Sequence, residues 1–419
     1  MNRFFSREHL PAAIFSATLL AAHAAFPVPT RGGQSTEFSD GKAAASQLGQ
    51  VDLLTAGGNN RGGVASALTL NGPVAVAVDP TTGKVFVADR ENNRILRYAA
   101  ASALANGAAA EAVLGQANFS TTSGTVSRSR FSDPRSVCCD EEGRLWVLDG
   151  NRVLRFDSAS TLANGANANG VLGQANFTST AANPGQNGLG DPAGIFVSVA
   201  GSPWVSSPDL NRVTRFSSAA AKADGANADT VLGQIDFVTS AAATTRSGLS
   251  APSGLAVDLA GNLYVADTGN NRVLVFKDAD TGVNGRNADI VLGQLIDTSD
   301  DAGLGAFGMT APVGVTVSTL GTLFVGDQGN DRVLLFKNAA NKGDGGAAEG
   351  VLGQGDLEAP VPGSLDRSFN NVAGLWADGE NRLWAADSGL ARVVRFETDR
   401  FLPDARIGSK ATVLKGDGI

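Results

Sequence analysis

Short apolar runs separated by polar turns fill most of the chain, and one arrangement of them recurs. Between Gly261 and Phe276, Leu263 to Ala266 form one apolar run, Asp267 to Asn271 are turn formers, and Val273 to Phe276 form a second run. Two such runs around Gly, Asn and Asp predict a β-hairpin. Related stretches stand at Lys84 to Tyr98, Arg144 to Phe156, Ser202 to Phe216, Thr322 to Phe336 and Arg382 to Phe396. Their leading aromatic falls at Phe86, Trp146, Trp204, Tyr264, Phe324 and Trp384, at spacings of 60, 58, 60, 60 and 60. The short interval reflects two turn residues missing between Asp149 and Arg152.

A further apolar strand precedes each hairpin, beginning at Pro73, Pro134, Pro192, Pro252, Pro312 and Val372. Proline suits a first strand position, where no ladder donor is needed. A fourth element, the Leu-Gly-Gln motif, ends at Gln116, Gln174, Gln234, Gln294 and Gln354. The repeating unit is therefore four strands. The inner strands are apolar almost throughout, so both sheet faces are covered. Small sheets repeated radially and covered by their neighbours make a β-propeller. Gln47-Leu48-Gly49-Gln50 copies the fourth-strand motif ahead of the first unit, while the last unit lacks an obvious copy. The expectation is an all-β, six-bladed propeller of four-stranded antiparallel blades, its ring closed by an N-terminal strand, with Thr412 to Lys415 as the competing closing strand.

At 419 residues the chain exceeds the size at which a single core stops growing, but a ring enlarges by adding units. Arg3 and Arg7, the apolar stretch Pro11 to Ala22, and Ala22-His23-Ala24 read as an export signal. The domain reading is a signal peptide at 1–24, a linker at 25–38, the propeller at 39–396 and a tail at 397–419, secreted or periplasmic, without a membrane span. Removing Arg3, Arg7 and Glu8 from 33 basic and 41 acidic residues leaves 31 and 40. That acidic balance opposes nucleic acid. Both histidines, His9 and His23, leave with the signal, which removes the base of a hydrolase triad. Cys138 and Cys139 are adjacent and align with Ala256 and Val257, so they read as small buried strand residues.

A strand ending in Ala-Asp, the turn Thr268-Gly269-Asn270-Asn271, then Arg272-Val273 and an aromatic resembles the NHL-repeat family of six-bladed β-propellers. The resemblance extends from about Gln47 to Phe396 and implies the fold. It also implies a choice of functions, since relatives bind proteins or RNA and similar propellers include zinc-dependent amidating lyases and calcium-dependent lactonases. A zinc lyase needs histidines that the mature chain lacks. The hairpin pairs Asp89/Arg94, Asp149/Arg152, Asp267/Arg272, Asp327/Arg332 and Asp387/Arg392 read as turn-fixing ion pairs, with Ser207 in the aspartate's place opposite Arg212. The variable turns remain to confer specificity. The functional expectation is a monomeric, non-catalytic scaffold binding a protein, peptide or glycan through Arg90, Glu91, Asn92, Asn93, Asp209, Gln328, Asn330, Asp331 and Ser388. It needs no cofactor or metal. A calcium-dependent lactonase-like hydrolase in the channel is the alternative.

Overall fold

The computed structural model of the protein describes residues 37–59, 63–358 and 365–399. The export signal, most of the linker, nearly all of the tail and the competing closing segment Thr412 to Lys415 lie outside the described residues. Within them stand six four-stranded antiparallel sheets arranged as a six-bladed propeller. The fourth blade is representative: Pro252–Val257, Leu263–Asp267, Arg272–Phe276 and Ile290–Leu292, in sequential order from the inner to the outer strand.

Both faces of each blade are buried, which accounts for the unbroken apolar runs. Leu263 and Val265 pack toward Trp204 and Val213 of the third blade. Tyr264, Ala266 and Val275 point the other way, toward Val325 and Leu334 of the fifth. Alternating side chains thus join one core to the next around the ring.

The outer strands are shorter than the sequence motif, ending at the leucine; the following glycine turns at positive φ, +88° at Gly293. That turn carries the next side chain back to the hairpin. Gln294 Nε2 donates to the Asn271 carbonyl at 3.0 Å, and Gln116, Gln174 and Gln234 do the same at Asn93, Asn151 and Asn211. A connection between third and outer strands holds a 3-10 turn, as at Ala279–Thr281.

The ring closes through the N-terminal segment. Ser46–Leu48 pairs antiparallel with Arg392–Phe396 in the last blade, with Gln47 opposite Val394. Gln50 completes the motif by donating to the Ala391 carbonyl at 2.9 Å. Asp40 and Gly41, just upstream, clasp the fifth blade: Asp40 Oδ1 accepts the Val351 amide and the Gly41 amide reaches the Val351 carbonyl. Asn106, Asn164, Asp224, Asn284 and Asp344 make the same bond at the other blade junctions.

The third blade departs from expectation. Its inner strand is Ile195–Val197 rather than a strand beginning at Pro192. Ser206 stands where Ala88, Ala266 and Ala386 stand in the first, fourth and sixth blades, and its hydroxyl accepts the Gly194 amide at 2.8 Å.

Candidate binding site at the turn-bearing mouth of the channel

The inner strands leave a channel between them, and their edges approach closely. A Cβ on Gly254 would stand 2.0 Å from the Val313 carbonyl oxygen, and one on Gly314 equally close to that of Ala373. Only glycine fits these two positions. The fifth residue of the inner strand is Ala77, Cys138, Ala256 or Thr316 in four blades and aromatic in the other two. Those aromatics, Phe196 and Trp376, stack with centroids 5.7 Å apart and planes at 27°. Both line a cavity of about 390 Å³ toward the hairpin turns and another of about 310 Å³ toward the opposite end. They form a floor shared by two chambers.

The turn-side chamber has a polar rim. Arg90 Nε donates to Asp133 Oδ1 at 2.6 Å, and Arg135 Nε to Asp133 Oδ2 at 2.6 Å. Arg135 Nη1 donates to Asp191 Oδ1 at 2.5 Å and to the Pro192 carbonyl. Burial would push the Asp133 carboxyl up, but the hydrogen bonds and charges of Arg90 and Arg135 hold it below the usual range. Burial would likewise lower the Arg135 guanidinium, and Asp133 and Asp191 raise it instead. The cluster is neutral as a whole. On the fourth and fifth blades the rim continues with Ser253 Oγ and Thr268 Oγ1, 2.6 Å apart, and with Gln328, which donates to the Val372 carbonyl at 3.1 Å.

The expected binding residues divide by environment. Arg90 and Gln328 reach the chamber. Glu91 and Asp209 are exposed on turns, while Ser388 Oγ is engaged with Asn371. Asn92 is a correction: it is buried and donates to Asp89 Oδ2 at 2.8 Å, so it fixes its turn rather than presenting itself. Asn330 makes the same bond to Asp327. Asn93 and Asp331 hold the left-handed turn position, and their side chains bond the Thr122 carbonyl and the Asn371 amide.

The hairpin pairs are deep in the blades. Arg94, Arg152, Arg272, Arg332 and Arg392 donate from Nε to Asp89, Asp149, Asp267, Asp327 and Asp387 at 2.6 to 3.0 Å, all five pairs buried. Burial outweighs the arginine charge and lifts the carboxyls of Asp89, Asp267 and Asp327, and that of Asp387 to about 6. Cys138 and Cys139 are free thiols buried in the second blade's inner strand, and burial pushes both thiols up.

The NHL repeat family profile matches residues 70–98 and 249–276, which are the inner strand and hairpin of the first and fourth blades. The chain carries NHL repeats on a six-bladed β-propeller. No curated protein sequence matches it. Among solved structures, this propeller is similar to a structural genomics protein of unknown function from Bacteroides thetaiotaomicron: 14% identity, TM-score 0.52, covering 84% of this chain and 75% of that one. It also resembles a gluconolactonase from Xanthomonas campestris, at 14% identity and TM-score 0.49, covering 85% and 98%. An auxiliary nutrient binding protein from Bacteroides thetaiotaomicron aligns at 14% identity and TM-score 0.47, covering 79% and 70%. At these identities the likeness is one of fold.

Arg135, Asp133, Asp191, Phe196 and Trp376 were not singled out by the repeat pattern. Their signal was departure from it: Arg135 is the one charged residue in the six inner strands, and Phe196 and Trp376 are the only aromatics at their repeat position. A second aspartate series was missed too. Asp140 Oδ2 accepts Trp146 Nε1 at 2.8 Å, Asp258 Oδ2 accepts the Tyr264 hydroxyl at 3.0 Å, and Asp378 Oδ2 accepts Trp384 Nε1 at 2.9 Å. The repeated aromatics are anchored as well as packed.

Proposed function

We propose that this NHL propeller is an exported, non-catalytic binding protein whose ligand enters the turn-side chamber, and that the ligand is the polyhydroxylated end of a glycan. The carrying observation is the Phe196–Trp376 floor beneath a neutral rim of planar polar side chains. Sugar rings present an apolar C–H face, which stacks on an aromatic, and hydroxyls at their edge, which need both donors and acceptors. Arg90 and Arg135 supply donors, Asp191 an acceptor, and Ser253 and Gln328 either, while Asp133 holds the two arginines in place. A cavity of about 390 Å³ falls within the usual range for small-ligand sites. The Arg3-Arg7 region and apolar Pro11 to Ala22 stretch support export.

The calcium-dependent hydrolase fits this rim poorly. Calcium takes six to eight oxygen ligands, whereas both Asp133 oxygens and one of Asp191 accept from arginine, whose charge repels a cation. Among the described residues, no group of three or more His, Cys, Asp or Glu could hold a metal ion.

Saturation-transfer NMR against mono- and disaccharides, with short peptides and a lactone as comparators, tests the reading. The account expects transfer to sugar ring protons and its loss in Arg135→Ala. Transfer to peptides alone, or turnover of the lactone, contradicts it.

A further inference from the structure

The third blade lacks the hairpin carboxylate. Ser207 stands opposite Arg212 in the ladder, where the other five blades place aspartate opposite arginine. Both residues are buried, at 0% and 1% exposure. The Arg212 Nη atoms donate to the carbonyls of Phe237, Gly185 and Gly188, as their counterparts do in other blades. Arg212 Nε, the atom that meets the carboxylate elsewhere, has no partner, and neither has Ser207 Oγ.

A third donor belongs to the same place. In the last three blades the amide seventeen residues before the aspartate, from Ser250, Thr310 or Asn370, donates to its Oδ1 at 2.6 to 2.9 Å. The equivalent amide in the third blade is that of Gly190. Leu210 takes the turn position held by Asn92, Asn270 and Asn330 in the first, fourth and fifth blades. The sixth blade shows that this leaves room for a negative group, since Leu390 there coexists with the Asp387–Arg392 pair. A buried guanidinium without a counter-charge is strongly unfavourable. Burial accordingly depresses the Arg212 guanidinium from its ordinary range.

We propose that the third blade binds one small monovalent anion of the halide class, held by Arg212 Nε, Ser207 Oγ and the Gly190 amide in place of the missing carboxylate. Serine is smaller than aspartate by only two heavy atoms, one carbon and one oxygen, so phosphate and sulfate, with five heavy atoms each, are too large for the space. A water molecule could meet the hydrogen bonds but would leave the charge uncompensated. The site is structural and separate from the channel chamber.

The test uses the intact protein exchanged into sodium methanesulfonate, then unfolded thermally with chloride or bromide substituted at constant ionic strength. Halide should raise Tm by about 2 °C or more, since a ligand bound only by the folded state stabilises it. Ser207→Asp, which restores the carboxylate, should remove that response. Crystals grown in bromide should show an anomalous peak within hydrogen-bonding reach of Arg212 Nε. An equal halide response in wild type and Ser207→Asp, or water without anomalous signal at that position, overturns the proposal. Should Ser207→Asp fail to fold, the bromide peak decides alone.

Discussion

Asp40 Oδ1 accepts the amide of Val351 at 2.9 Å, joining residues more than three hundred positions apart and completing a set of six equivalent blade junctions. Five of those bonds come from an Asn-Gly or Asp-Gly pair inside the following blade's own loop; the sixth comes from the N-terminal segment. The segment therefore supplies the last blade with its loop clasp as well as its outer strand.

Replacing Asp40 with alanine strands the Val351 amide and should cost about 1–3 kcal/mol. Amide hydrogen exchange at Val351 and across Arg392–Phe396 checks this. Exchange should accelerate in the fifth and sixth blades while the second and third keep wild-type protection. Uniform acceleration would mean that the ring opens as a whole.

Asp267 accepts from the Ser250 amide, Asn270 Nδ2 and Arg272 Nε, so Asp267→Ala leaves three buried donors and one unpaired charge. Removing one member of a buried pair costs about 3–5 kcal/mol. Urea unfolding should show that loss in Asp267→Ala and a partial recovery in Asp267→Ala/Arg272→Leu. A loss below about 1 kcal/mol in the single variant would remove the turn-fixing role.

The indoles offer an internal comparison. Trp146 Nε1 donates to Asp140, whereas Trp204 Nε1 has no partner, because Ser198 stands where Asp140 stands in the second blade. Trp146→Phe should cost more than Trp204→Phe by about 0.5–1.5 kcal/mol, since only the first removes a hydrogen bond, although Asp140 Oδ2 keeps that of Arg144 Nε. Equal midpoints and slopes in urea would show that the anchoring is worth nothing.

Burial lifts the Asp387 carboxyl to about 6, above its ordinary value near 4 in the unfolded chain. The folded state then holds the extra proton between those values. Stability from this group is fully present below pH ~4 and is lost as pH rises through about 6. The Tm gap between wild type and Asp387→Asn should shrink from pH 5 to pH 7, a swing of about 1–1.5 kcal/mol. A gap that widens with pH would show that Arg392 dominates burial.

The blades and their closure could be read from the sequence because each strand repeats a two-faced apolar pattern at fixed spacing, and Gln47 to Gln50 stood visibly out of place. Asp40-Gly41 was equally out of place but too short to register. The chamber was harder to read, since a channel is lined by one residue from each blade, sixty positions apart, and repetition draws attention to what the blades share. Arg135, Phe196 and Trp376 carry information by differing from their counterparts. Asn92 and Asn330 misled in the opposite way: variable turns suggested ligand contact, yet both amides face inward to an aspartate already engaged with arginine.

A sugar resting on the channel's aromatic floor is read directly by intrinsic tryptophan fluorescence. Of the four tryptophans, Trp146, Trp204 and Trp384 are at most 1% exposed, whereas Trp376 is partly accessible in the chamber. Titration with a saccharide identified by NMR should change wild-type emission saturably. The change should vanish in Trp376→Phe and weaken at least about tenfold in affinity in Arg135→Ala, as expected for a lost buried charge-assisted contact. An undiminished change in Trp376→Phe, or unaltered affinity in both variants, would place the ligand elsewhere and contradict the account.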